Sequence, residues 1–339
     1  MATMKEIAEL AGVSRGTVDR VINKRGIVNA ETDKKVLEII DMLNYQPNKA
    51  GIALAAQKKK LQIGVLFFSE HNPFFDQVMD GLKKKLDELS FYGCTIIEKR
   101  IPFDLEKQLQ AIDELVEDGI HGLILSPYND VNIQEKIDIL WEKGIPTITT
   151  NTDIPDSKRI AYVGSDYYKC GQTAAGLMGL FTNSNAKVGI ITGSHKILCH
   201  EERILGFTDY IEKHHPHIEV VDIMENGDDD IQSYEQVTAL LTRRNDLTAL
   251  YFTSAGVYGG CRAVNSFPRK VPLKIITFDT VPTTKEMVIN GTISATICQQ
   301  PELQGALSLT TIIEYLLSGT LPKQEIYHTD LSIKIKENI

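Results

Sequence analysis

Two arginines near the amino terminus have the chemistry needed to read DNA bases. Arg15 and Arg20 face away from the apolar residues of their segment, which recur at helical spacing: Val18, Val21 and Ile22. A guanidinium can donate two hydrogen bonds to O6 and N7 of guanine, so both arginines are candidates for base readout. The same outer face holds Gly16, and the residues that can reach phosphates are Thr17, Asn23 and Lys24. Paired arginines on a helix are more often ordinary solvated residues, so the surrounding elements must decide.

Those surrounding segments have the caps of three short helices. Thr3 and Glu6 fit a capping box, and Gly12 suits the left-handed residue that ends a helix. Ser14 and Asn29 can cap the second and third helices. The remaining residues predicted to face inward are Ile7, Leu10, Ala11, Val36, Ile39, Ile40 and Leu43. Helices around the tight turn 12–14 predict a helix-turn-helix, whose second helix enters the major groove. We therefore assign residues 1–48 to an all-α DNA-binding head.

The distribution of charge separates this head from the rest of the chain. Residues 1–60 hold 11 Lys or Arg and 7 Asp or Glu, a net charge of +4, while the whole 339-residue chain has a net charge of −9. The remaining residues therefore carry −13. This asymmetry restricts the attraction of phosphates to one end of the molecule.

From residue 61 onward the sequence alternates between apolar strands and amphipathic helices. The first series of strands is predicted at 61–68, 94–97, 122–125, 147–149 and 161–163. The second series is predicted at 187–191, 219–221, 250–252, 274–278 and 295–297. Two such series predict an α/β body of two lobes, each built on a doubly wound parallel sheet. Ligands of these sheets bind beyond the carboxyl ends of the strands.

The head resembles the lactose-repressor family of transcription regulators. The matching motifs are AELAGVS, TV-x-RV-x-N, LNY-x-PN and a leucine in the hinge, residues 49–60. The resemblance implies that Leu54 wedges open a base step in the minor groove when paired hinges order on the operator. It adds to the DNA-contacting set the residues Thr3, Ser14, Asn48 and Ala50. Two positions depart from the family pattern, because Asp19 stands where Ser is usual and Gly51 where Arg is frequent.

The body is similar to the ribose-binding-protein branch of periplasmic sugar receptors, on the motif Asn72-Pro73-Phe74-Phe75 and the pairs 278–279 and 298–299. The resemblance implies that Phe74 and Phe75 stack on a sugar ring. It implies hydrogen bonds to hydroxyls from Asn72, Ser126, Arg203, Ser254, Asp279 and Gln299. Asn151-Thr152 replaces the usual Asp-Arg, Ser254-Ala255 replaces Asn-Asp, and Asp229 is expected near the cleft. A cyclitol, sugar alcohol or modified sugar is therefore as plausible an effector as ribose.

Each of these residues also has a plainer explanation. The two phenylalanines could follow a helix-capping loop and lie in the core. Arg203 could pair with Glu201 or Glu202, and Asp279 and Gln299 could bond to backbone.

In this fold the chain crosses between the lobes three times. We expect the crossings at 164–166, 299–301 and 327–329. The N-terminal lobe would then comprise residues 61–165 and 300–327, and the C-terminal lobe residues 166–299 and 328–339.

The composition argues against several other classes of protein. Five cysteines without a CxxC spacing favour reduced thiols over a disulfide or zinc framework. No export signal or apolar span of membrane length is recognised, so we expect a cytoplasmic protein without membrane contact. No phosphate loop or GxGxxG follows a strand, and we predict neither a cofactor nor a bound metal. No nucleophile and base are recognisable as a pair, so an enzyme is not expected.

These features predict a homodimeric, sequence-specific transcription regulator of a carbohydrate or polyol operon. Two heads imply a palindromic operator, and a sugar-like effector between the lobes would control DNA binding. The effector could release the operator or promote binding, and a phosphoprotein co-regulator stays possible. The alternative is a pure sugar-binding receptor without DNA function.

Overall fold

The amino-terminal helices begin at the residues that the sequence predicts, and the first also ends where predicted. The computed structural model describes residues 3–22, 28–43, 45, 57, 60–68 and 70–339. Helices α1, α2 and α3 span Met4–Ala11, Arg15–Ile22 and Ala30–Met42. The capping box of Thr3 and the left-handed Gly12, with φ of 69°, are confirmed. Ser14 accepts the N–H of Thr17, and Asn29 accepts the N–H of Glu31.

The three helices share a small apolar core. Its buried residues are Ile7, Ala8, Ala11, Val18, Val21, Val36 and Ile39. Ile22, Ile40 and Leu43 pack against its edge. The predicted inward orientation of Leu10 is wrong, because its side chain is 53% exposed. The contact with α2 and α3 is narrow and lies along Ile7, Ala8 and Ala11, and Leu10 falls to one side of that stripe.

The body consists of α/β units in chain order. The first series comprises β1 (Gln62–Phe67), α4 (Phe74–Glu88), β2 (Thr95–Arg100), α5 (Leu105–Glu117), β3 (Gly122–Leu125), α6 (Val131–Glu142), β4 (Thr147–Thr150) and β5 (Ala161–Gly164). The second comprises α7 (Tyr167–Thr182), β6 (Asn185–Thr192), α8 (Leu198–His214), β7 (His217–Glu225), α9 (Asp230–Arg243), β8 (Ala249–Phe252), α10 (Val257–Ser266), β9 (Lys274–Phe278), α11 (Pro282–Ile289) and β10 (Ala295–Cys298). The chain ends with α12 (Pro301–Ser318), β11 (Ile326–His328) and β12 (Ser332–Lys334).

The strands form two six-stranded sheets, which confirms the predicted two-lobed α/β architecture. The first sheet has the order β11-β5-β4-β3-β1-β2 and all its pairs are parallel. The second has the order β12-β10-β9-β8-β6-β7, with only β12 antiparallel to its neighbour. Both sheets have buried central strands, as expected for sheets covered by helices on both faces.

The chain passes between the sheets at three places that lie together. It leaves the first sheet after Gly164, returns after Cys298 and leaves again after His328, one residue beyond the expected end of the N-terminal lobe. The Ser165 hydroxyl contacts that of Thr329 at 2.9 Å, and Thr329 donates to the carbonyl oxygen of Gln299 at 2.9 Å. The three crossings are therefore tied together by side-chain hydrogen bonds.

Glycines bring α4 and α12 into backbone contact. A Cβ at Gly81 would lie 1.9 Å from the carbonyl oxygen of Glu302. Gly176 of α7, by contrast, has nothing within 4 Å of its Cβ position.

We expect Gly81→Ala to destabilise the body by about 3 kcal/mol, because backbone would have to move. Gly176→Ala is expected to stabilise the body by about 0.5–1 kcal/mol, because alanine lowers the conformational entropy of the unfolded chain. Urea unfolding of both variants checks this, and equal effects would contradict the assigned helix contact.

Candidate ligand-binding cleft and nucleic-acid interface

A cavity of about 160 Å³ lies between the two lobes, at the carboxyl ends of both sheets. A cavity of about 150 Å³ is large enough to hold a benzene molecule, so this one admits one small ring. The predicted residues on its wall are Asn72, Phe74, Phe75, Asn151, Arg203, Ser254, Asp279 and Gln299. Asn151, Asp279 and Gln299 directly follow strands, and Ser254 lies two residues beyond one, which explains why residues distant in sequence meet here.

The most distinctive group in the cavity is the guanidinium of Arg203. It projects from α8, is 3% exposed, and donates from Nη1 to the carbonyl oxygen of Thr253 at 2.6 Å. Its carbon lies 3.7 Å from the Phe278 ring centroid and 4.7 Å from that of Tyr167, as in a cation–π contact. Within the described chain, Nε and Nη2 have no hydrogen-bond partner. Two buried donors are thus held rigidly and left available to a ligand.

Acceptors lie on the same wall as these donors. Gln299 donates from Nε2 to both carboxylate oxygens of Asp279 at 3.0 Å, so both side chains bond to each other rather than to backbone. Burial raises the pKa of Asp279 to about 6, although the charge of Arg203 opposes that change. Oε1 of Gln299 has no partner among the described residues. A ligand hydroxyl could accept from Arg203 and donate to either of these acceptors.

The N-terminal lobe supplies aromatic rings and two amides. Phe75 stacks on Phe67 with ring centroids 4.7 Å apart, so its ring belongs to the core as well as to the cavity wall. Asn72 accepts the N–H of Phe74 at 3.0 Å and so also caps α4. Asn151 has a φ of 66° and donates to the Tyr167 hydroxyl at 3.1 Å across the lobe boundary. The capping role and the ligand-facing role therefore coexist in this segment.

Three predicted effector residues are placed off the cavity wall. Ser126 is fully buried and donates to the carbonyl oxygen of Thr150 at 2.8 Å. Thr152 accepts the N–H of Cys199 at 3.3 Å, and Asp229 caps α9 by accepting the N–H of Gln232 at 2.8 Å. The polar group of each of these three side chains is therefore hydrogen-bonded to backbone. Arg203 does not pair with Glu201, which contacts His195 instead.

The structure adds residues to the wall that the sequence did not predict to bind the effector. They include His200, Asp228, Asp230, Tyr258 and Phe278. Asp228 and its neighbours follow β7, so the strand-end rule could have drawn attention to them. The orientation of His200 on α8 has no comparable signal in the sequence.

Hydrogen bonds join the lobes around the cavity. The Asn72 side chain donates to the Asp228 carboxylate at 3.4 Å, and the N–H of Asn129 donates to the carbonyl oxygen of Lys196 at 2.9 Å. Any opening of the cleft must break these contacts. An effector that bonds to both lobes would oppose that opening.

Burial and neighbouring carboxylates raise the pKa of Glu202, where α8 meets the first crossing. Burial is the largest cause, Asp166 and Asp153 add to it, and the pKa reaches about 7 against an ordinary value of 4.5. The folded state therefore loses stability as pH rises from about 4.5 through 7. The free energy of unfolding of Glu202→Gln, relative to that of wild type, should be about 1 kcal/mol greater at pH 8 than at pH 5.

Thermal unfolding at the two pH values measures this gain. Glu212→Gln, at an exposed position of the same helix, controls for the loss of one negative charge. A Glu202→Gln gain that is equal at both pH values would contradict the assigned burial.

The head presents its predicted base-reading residues to solvent. Arg15, Gly16 and Arg20 are exposed on α2, and Arg20 donates from Nε to the carbonyl oxygen of Gly16 at 3.2 Å. Thr17 contacts the Ser14 hydroxyl at 3.0 Å, and Thr3 bonds to Glu6. Burial raises the pKa of Tyr45 and the charge of Asp19 adds to that change, so Asp19 lies near that ring. The predicted contacts outside the described residues are Asn23, Lys24, Asn48, Ala50 and Leu54.

The five cysteines are free thiols, and four of them are buried. No cluster of three or more His, Cys, Asp or Glu suited to a metal occurs among the described residues. In the same ranges, no helix combines the length and apolarity needed to cross a bilayer.

Comparison with known proteins identifies both parts of the chain. The family described as periplasmic binding protein domain matches residues 63–320, and bacterial regulatory proteins, lacI family, matches residues 3–48. The ribose operon repressor of Halalkalibacterium halodurans is 27% identical over 325 residues, covering 93% of this chain and 91% of that protein. The HTH-type transcriptional repressor PurR of Aliivibrio fischeri is 33% identical over 210 residues, covering 61% of this chain and 59% of that protein.

A solved structure shares the fold of the body. GanP, a glucose-galactose binding protein from Geobacillus stearothermophilus, superposes with a TM-score of 0.76 at 27% identity, covering 82% of this chain and 98% of GanP. A DNA-reading head joined to a two-lobed ligand-binding body defines a ligand-responsive transcription regulator. The chain belongs to the lacI family of bacterial regulatory proteins, with a periplasmic binding protein domain as its body. The predicted resemblances are thereby confirmed.

Proposed function

We propose that this regulator is a homodimeric, cytoplasmic repressor of a carbohydrate or polyol operon, that it binds a palindromic operator, and that it has no enzymatic activity. Its effector is a small polyhydroxylated ring held in the inter-lobe cavity. One observation carries the proposal: Arg203 offers two unpaired buried donors beside the acceptors Asp279 and Gln299. A hydroxyl both donates and accepts, so it can pair with such a set more completely than an apolar molecule can.

The similar proteins support this assignment. Two are named as repressors, of which one is a ribose operon repressor, and the third is a glucose-galactose binding protein. A repressor must reach chromosomal DNA, so we place it in the cytoplasm. Two heads on one dimer would read two half-sites related by twofold symmetry.

The geometry suggests how the cavity is coupled to DNA binding. The Gln299 side chain lies in the cavity, while its carbonyl oxygen accepts from Thr329 at the third crossing and from Gln304 at 2.8 Å. A ligand bound to Gln299 therefore acts directly on the segments that set the angle between the lobes. It can shift DNA affinity only by binding open and closed forms unequally.

A titration on the full-length chain tests the proposal. Fluorescence anisotropy is measured on promoter fragments from the gene's own neighbourhood, with and without a panel of sugars, sugar alcohols and cyclitols. We expect salt-sensitive binding and a change in operator affinity with at least one compound. The sign of that change distinguishes an inducer from a corepressor. Failure to bind any fragment would favour a receptor without DNA function, and binding that no compound alters would argue against the assigned effector class.

A further inference from the structure

The charged groups around the cavity are unbalanced. The described residues that line it include one guanidinium, Arg203, and three carboxylates, those of Asp228, Asp230 and Asp279. Charges interact strongly at short range where water is excluded, so this excess of negative charge bears on which ligands can enter. The inference about ligand charge rests on the proposed function, because it concerns the effector that binds in the same cavity.

Two of the three carboxylates are already compensated. Asp279 bonds to Gln299 and lies close enough to Arg203 for that charge to lower its pKa against the effect of burial. Asp230 is the first residue of α9, where the helix dipole is positive, and it accepts the N–H of Gly259 at 2.9 Å. Neither carboxylate therefore presents a full unpaired charge to a ligand.

Asp228 lacks comparable compensation. One carboxylate oxygen accepts the N–H of Ala255 at 3.2 Å and the other accepts from Asn72 at 3.4 Å. The first distance is at the upper end of the usual N–H···O range of about 2.7–3.2 Å and the second exceeds it, so the two bonds compensate the charge only in part. The neighbouring His200 does not supply a positive charge, because burial lowers the pKa of its imidazole to about 4.

The position of this carboxylate is built into the loop. Asp228 has a left-handed φ of 59°, and its N–H donates to the Asn226 side chain at 3.0 Å. At Gly193, a Cβ would lie 2.4 Å from the Asp228 carboxylate and 2.6 Å from the His200 ring. The missing side chain at Gly193 thus makes the space in which both groups sit. The loop conformation and the space at Gly193 together place this carboxylate on the cavity wall.

We propose that the cavity selects its effector by charge, that it excludes sugars bearing a carboxylate or phosphate, and that Asp228 is the residue that enforces this selection. Hydroxyls of an uncharged polyol can donate to the Asp228 carboxylate. A protonated amino sugar can add a charge-assisted hydrogen bond there. An acidic sugar places a second negative charge against the same wall, which is a repulsive element of specificity.

Matched derivatives of one ring provide the test. Isothermal titration of the full-length chain compares neutral hexoses with their 2-amino, 6-carboxylate and 6-phosphate forms. We expect the neutral and amino forms to bind, and the two anionic forms to bind at least about 30-fold more weakly. Asp228→Asn removes the charge and preserves the shape of the side chain. The affinity for the neutral form, divided by the affinity for the anionic forms, should fall by about tenfold. Asp228→Glu retains the charge and should retain the exclusion.

A matched control separates local from general charge. Glu235→Gln removes one negative charge from an exposed position of α9 and should leave the ratio unchanged. Operator binding by each variant shows that it is folded. An anionic form that binds as tightly as its neutral parent, or a ratio unaffected by Asp228→Asn, overturns the inference and leaves the proposed function standing. A chain that binds the operator but none of these hexoses and no sugar alcohol or cyclitol overturns both.

Discussion

Replacing Arg203 with Lys is expected to weaken effector binding by about 100-fold and to abolish the effect of the ligand on operator affinity. The guanidinium is fixed between the rings of Phe278 and Tyr167 and by its bond to Thr253, so its free donors point in fixed directions. An ammonium cannot occupy this stack and donate from two planar positions at once. The acceptors of the ligand would then be buried without partners.

The measurements are effector titration calorimetry and operator anisotropy on the same preparation. Operator affinity without effector should remain within about threefold of wild type, because the head does not contain this residue. Arg243→Lys, at an exposed position of the same lobe, is the matched control and should leave effector binding unaltered. Normal ligand response in Arg203→Lys would exclude the guanidinium as the main polar anchor.

Substitution of Arg15 or Arg20 by Ala is expected to weaken operator binding by about 10- to 100-fold, with a smaller loss on unrelated DNA. Both side chains are exposed on α2, the helix whose outer face enters the major groove in a helix-turn-helix. A bidentate contact to guanine provides discrimination between bases, so its loss should also relax the preference at one base pair of each half-site.

Lys35→Ala is the control for this experiment. It removes the same charge from an exposed position of α3. Loss of a phosphate contact would weaken binding to all sequences alike and reduce the salt dependence. Equal losses on operator and unrelated DNA for Arg15→Ala and Arg20→Ala would assign these arginines to the DNA backbone. Effector affinity measured in the same variants should equal that of wild type.

The helices of the head that the structure describes could be predicted almost completely from their sequence. Thr3 with Glu6, Gly12 and Asn29 have the predicted roles, because a cap depends on groups two to four residues apart. Helical spacing likewise identified Val18, Val21, Val36 and Ile39 as core. The exception is Leu10, whose exposure depends on how the other helices approach α1.

The division of the body into two α/β series was also readable from the sequence, because most of the central strands contain short runs of apolar residues. The short strands β11 and β12 carry no such run and exist through pairing with β5 and β10. Their formation therefore depends on partners more than 30 residues away in the chain. A pattern read along a short segment cannot detect such pairing.

The sequence by itself determined that a DNA-reading head precedes a two-lobed body with polar residues at its strand ends. Only the tertiary structure decided which polar groups remain available to a ligand. The hydroxyls of Ser126 and Thr152 hydrogen-bond to backbone groups, whereas Arg203 keeps two free donors between rings from α7 and β9. The Asp228 carboxylate can lie on the cavity wall because Gly193 has no side chain to occupy that space. Hydrogen-bonding capacity is local to a residue, but its use depends on every neighbour that folding brings near.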